Sequence, residues 1–115
     1  MTVALVLFAI AAVGGLILAV LRLRGRADLP LGLAVVHGLV AAAGLVALIV
    51  AVVGATAVGG LAKGALVLFI IAALGGFVLI TSHLRTRNVP IPLMLVHAVI
   101  AVVAFALLLV NVVGG

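Results

Sequence analysis

One stretch of this sequence occurs twice, and that repetition constrains the fold more than any other feature. The first copy reads Ala11-Ala12-Val13-Gly14-Gly15, then Arg22, Arg24 and Arg26, then Pro30 and His37. The second reads Ala72-Ala73-Leu74-Gly75-Gly76, then His83, Arg85 and Arg87, then Pro90 and His97. Residues 6–27 match 67–88 at 12 of 22 positions, and after a one-residue deletion 30–50 match 90–110 at 7 of 21. Apolar composition inflates such agreement, but coincident Gly-Gly, Arg-x-Arg, Pro and His are harder to attribute to it. Each copy reads as an apolar helix carrying a diglycine, a basic turn, and a second apolar helix carrying one histidine. A unit of two helices returns to the side it left, so both copies enter a membrane the same way. The expected symmetry is a parallel repeat about a pseudo-twofold axis along the membrane normal.

A membrane is required by composition. Of the 115 residues 70% are hydrophobic and only 6% charged. A water-soluble chain this short could not hide so much apolar surface. Four apolar segments, about 2–21, 31–53, 64–82 and 91–113, each approach the ~20 residues that cross a hydrocarbon core. They are hydrophobic all round rather than striped, and none alternates as barrel strands do. The expected fold is therefore all-α: an integral membrane four-helix bundle. It forms one transmembrane domain over 1–115, with repeat 1 at 1–53 and repeat 2 at 64–115. Residues 1–21 lack a basic segment ahead of the apolar run and are long enough to span, so they read as a retained helix.

Charge sets the expected orientation. The formal net charge is +5, and five of the six basic residues are arginines packed into two short turns. That is the positive-inside pattern, not a nucleic-acid-binding face. The Arg22–Pro30 and His83–Pro90 turns are expected at the cytoplasmic surface of a bacterial inner membrane. Both termini and the Gly54–Gly64 link, with Lys63 its only charge, are expected on the other side. Pro30 and Pro90 stand at helix starts, where a missing N–H costs nothing. With no cysteine, disulfides, thiolate metal sites and thiol catalysis are excluded.

The candidate site comes from depth. Gly14-Gly15 precede the first basic turn by about seven residues and His37 follows Pro30 by the same interval, so both lie ~10 Å below one end. Gly75-Gly76 and His97 repeat this, placing two histidines and two diglycines in one layer. Helices 2 and 4 face each other diagonally across a pseudo-twofold bundle, at roughly 11–14 Å between axes. Two imidazoles alone make a poor zinc site, because zinc takes four ligands. They suffice for haem, whose porphyrin supplies the other four. The glycines would leave space for a macrocycle. Arg22, Arg24, Arg26, Arg85 and Arg87 would stand where the propionates emerge. The expected cofactor is one bis-histidine haem b held by His37 and His97 as metal ligands, with an electron-transfer role and no catalytic residue. A (bacterio)chlorophyll on histidine, or no cofactor at all, is the alternative.

The layout of His-bearing helices paired with Gly-bearing ones resembles the small membrane b-type cytochromes and, more distantly, the bundles of haem A synthase and the cytochrome b561 type. The resemblance covers nearly the whole chain but is one of layout, with no motif matched residue by residue. With almost no extramembrane mass and no Trp or Tyr to anchor it at the interfaces, the expected partners are other membrane subunits or further copies of the chain, with a quinone as a candidate reactant.

The competing reading gives the same residues plain structural work. A membrane histidine often just bonds a neighbouring helix, worth ~0.6 kcal/mol. Ala11–Gly15 and Ala72–Gly76 are small-xxx-small pairs suited to helix packing. His83, which replaces Arg22 of the first copy, and Asn111 read as interfacial residues. Proton-coupled transporters and rotor subunits need a membrane-embedded carboxylate, and the only acid, Asp28, sits in a turn. What survives is a non-catalytic accessory subunit of a larger membrane complex.

Overall fold

A computed structural model describes all residues 1–115 and contains four helices: α1 (Thr2–Leu23), α2 (Leu31–Gly54), α3 (Gly60–Thr86) and α4 (Ile91–Gly114). All four are long and apolar enough to cross a membrane. They form an elongated bundle 45 Å long and 19 Å across in both other directions. In lipid every backbone polar group must be satisfied within the segment, which is why apolar runs of this length settle as helices.

The helices pair as two hairpins. α1 packs most extensively on α2, and α3 on α4; the α1–α4 and α2–α3 seams are thinner. α1 and α3 thus lie on one diagonal and α2 and α4 on the other. Pro30 precedes α2 and Pro90 precedes α4, each with extended ψ (113° and 122°), so proline marks both helix starts. The first turn reverses through Gly25 at φ +96°, open to solvent. The second reverses through Arg87 at φ +55°, a left-handed conformation that costs a non-glycine residue ~1 kcal/mol.

One helix differs from the sequence reading at both ends. α3 was expected over 64–82, but it begins at Gly60 and runs to Thr86, so the link between hairpins shrinks to 55–59 and His83 and Arg85 become helical. Ala62 is completely buried, and that packing holds the first turn of α3 despite its glycines. At the other end, Thr81 and Thr86 donate their hydroxyls to the carbonyls of Phe77 and Ser82 one turn back. Their polar groups are thereby satisfied inside the helix.

The core obeys the repeat. Ala4, Phe8 and Leu48 from the first hairpin meet Ala65, Phe69 and Leu108 from the second, with Ala104. On the axis itself the rings of Phe8 and Phe69 stack with centroids 3.6 Å apart and planes 1° from parallel. Lipid is as apolar as these side chains, so close packing rather than expulsion from water favours this contact. A second small core of Leu29, Val89 and Met94 closes the arginine end. Between the two cores lies a layer in which Gly14, Gly15, Gly75, Gly76, His37 and His97 are only half-buried.

Candidate functional site

His37 and His97 fill that layer from the α2–α4 diagonal. Each reaches sideways to the glycine-bearing helix of its own hairpin. His37 Nδ1 stands 2.7 Å from the carbonyl oxygen of Ala11, and His97 Nδ1 stands 2.8 Å from that of Ala72. A carbonyl only accepts, so both Nδ1 atoms carry the hydrogen and donate it. That assigns the tautomer: the neutral ring keeps its lone pair on Nε2. Neither Nε2 has a hydrogen bond and neither is sealed in, since the one enclosed side-chain nitrogen without a partner belongs to His83.

The diglycines explain how a ring reaches a helix backbone. A Cβ added at Gly15 would stand 2.8 Å from Cε1 of His37, and one at Gly76 would stand 3.1 Å from Cε1 of His97. Gly14 and Gly75 meet the histidine Cβ atoms at 3.6 and 3.7 Å. Any larger residue at 15 would push the imidazole off the Ala11 carbonyl. The space expected for a macrocycle is therefore filled, at these four glycines, by the imidazoles themselves. In this structure they seat the histidines.

Across the axis the two rings have centroids 6.4 Å apart and planes at 85°. An ion held linearly between two imidazoles by metal–nitrogen bonds of ~2 Å separates the ring centres by roughly 6 Å. No further His, Cys, Asp or Glu joins them to make a set of three, so the protein offers two donors and no closed metal cage.

The five arginines do not behave as one group. Arg22 donates from Nε to the Val89 carbonyl at 2.7 Å and from Nη2 to Asn88 Oδ1 at 3.2 Å, tying the first hairpin to the second turn. Arg26 donates to the carbonyl of Asp28 at 3.0 Å, and Arg87 stands 3.9 Å from the Asp28 carboxylate. Arg24 and Arg85 have no protein partner among the side-chain bonds and are exposed. Only these two keep their full donor capacity for another anion.

Sequence reasoning did not find the Ala11 and Ala72 carbonyls, because a backbone acceptor has no residue signature. The repeated spacing of 26 and 25 residues between acceptor and histidine was the available signal. It also missed the burial of His83, which is 2% exposed at the arginine end. No protein-family model, curated protein or solved structure matches this chain.

Proposed function

We propose that this chain is a haem b-binding membrane subunit with an electron-transfer role, His37 and His97 serving as axial ligands. The observation that carries the reading is the pair of pinned imidazoles: both Nδ1–H groups are spent on carbonyls, both Nε2 lone pairs are uncommitted, and the ring centres lie 6.4 Å apart. A second partner on the far ring nitrogen is how proteins orient metal-bound histidines and raise their basicity. The donor set fits haem iron, which needs only two protein ligands. Bound there, haem would supply one-electron chemistry; Arg24 and Arg85 keep donors for its propionates. Because Gly15 and Gly76 are closed by the imidazoles, the helices would have to part to admit a macrocycle. The arginine end faces the cytoplasm in this reading, by the positive-inside rule.

The glycine contacts favour a second reading, in which the histidines are interhelical staples of an accessory subunit. The two readings part in the spectrum. With haem supplied during expression, the purified protein should show the sharp reduced bands of a low-spin b-type haem at one per chain. His37→Ala and His97→Ala should each give five-coordinate or haem-free protein, and the double variant should bind none. A staple worth ~0.6 kcal/mol has no such signature, so a colourless, folded wild-type protein leaves the accessory subunit as the function.

A further inference from the structure

The repeat brings a matched pair of contacts to the arginine end. Position 22 of the first copy corresponds to position 83 of the second, and, counting back from Pro30 and Pro90, Asp28 of the first turn corresponds to Asn88 of the second. Arg22 reaches Asn88 across the hairpin boundary with a formed hydrogen bond at 3.2 Å. His83 aims the equivalent contact at Asp28, but its Nε2 stops 3.7 Å from Oδ1. That nitrogen is enclosed and has no hydrogen bond at all, while the carboxylate it faces is 61% exposed. One half of the symmetric pair is closed; the other is open.

We propose that His83 and Asp28 form a proton-operated latch between the two hairpins. An enclosed polar nitrogen without a partner is unfavourable, and an enclosed lone charge more so. Protonated His83 therefore requires the carboxylate to close in, and the charge-assisted bond that results is stronger than a neutral one. Histidine is the side chain that ordinarily changes charge between about pH 5 and 8, where aspartates are ionised. The closed state holds the extra proton, so closure is favoured as pH falls through that window and lost as it rises. The first copy, with an always-charged arginine, holds its contact throughout.

The surrounding charges support this assignment. From the first turn, Arg26 is engaged with the Asp28 carbonyl and leaves the carboxylate free. From the end of α3, Arg87 stands 3.9 Å from the same Oδ1 but is itself exposed, so it competes weakly through solvent. From α1, Arg22 is committed to Val89 and Asn88. α2 and α4 bring only His37 and His97, both held in the deeper layer by Ala11 and Ala72. Beneath the latch sit Leu29, Val89 and Met94, so closing it presses the two hairpins together at that end.

The test is thermal unfolding of the full chain in lipid nanodiscs across about pH 5 to 8. The wild type should melt several degrees higher at the acid end. Asp28→Asn should flatten that dependence at the lower level. His83→Arg, which installs the residue of the first copy, should flatten it at the higher level. A wild-type midpoint independent of pH overturns the latch, as does a His83→Arg protein that keeps the wild-type pH dependence. Neither His83 nor Asp28 belongs to the histidine layer, so the outcome is independent of the pigment test.

Discussion

The two hairpins are built to one plan and differ in how tightly they are tied. In both, a histidine leans on a diglycine and bonds an alanine carbonyl, at 2.7 Å in the first and 2.8 Å in the second. The first is the tighter seat, with 2.8 Å against 3.1 Å from a Cβ at the second glycine to the imidazole. The first turn bends through glycine and the second through an arginine in the left-handed region. At the boundary the first copy offers an arginine with two formed bonds, the second a histidine with none. Residues that meet the axis stay paired, as Phe8 with Phe69. Those at the ends, where water competes, have diverged. Symmetry persists where packing enforces it.

The most far-reaching way to break this comparison is topological. Reporter fusions at Ala27 and Asn88 should score on the same side of the membrane, and one at Gly59 on the opposite side. Opposite results at Ala27 and Asn88 would dissolve the parallel repeat, and with it every paired contact described above.

Next in size are the glycine seats. Gly15→Leu and Gly76→Leu should each prevent a stably folded bundle, while Gly59→Leu, at the start of α3, should matter much less. The graded version sharpens the comparison. Gly15→Ala should cost about 2 kcal/mol and Gly76→Ala about 1 kcal/mol, within the range for overpacking a filled core. Equal losses in reversible unfolding would mean that the two seats do not differ.

The smallest effect is expected where one copy already holds the other's residue. A Cβ at Gly44 would stand 3.2 Å from the Phe8 ring. The equivalent position in the second hairpin is Ala104, fully buried in the same core. Gly44→Ala should therefore cost less than about 1 kcal/mol, because a small shift of the Phe8–Phe69 stack makes room. A loss as large as that of Gly15→Ala in the same melt would show that the first hairpin lacks the tolerance of the second.

Much of the fold was legible because lipid simplifies the problem. Helix number, approximate spans and the proline starts follow from apolar length and a few punctuating residues. The site was partly legible: His37, His97 and both diglycines do share a layer. What each touches was not. The glycines looked like space, and the structure shows that a ring already uses it. The ends of α3 were misplaced because Gly60 and Thr86 are weak formers that packing and hydroxyl back-bonding keep helical. The burial of His83 was not legible, since nothing in its neighbours announces that the helix continues past it and turns it inward.

By itself the sequence determined the class, the number of spans, the repeat and the sharing of one layer by the histidines and diglycines, because each depends on residue type and on distance along the chain. Only the tertiary structure decided the partners. Ala11 and Ala72 accept through backbone oxygens that every residue possesses, and Arg22 and His83 find theirs 66 and 55 residues away in the chain. Which of two equivalent crossings closes, Arg22 on Asn88 or His83 on Asp28, is a matter of tenths of an ångström between packed helices. Distances of that size are set by how side chains fill the space between two hairpins, and no spacing along one chain encodes them.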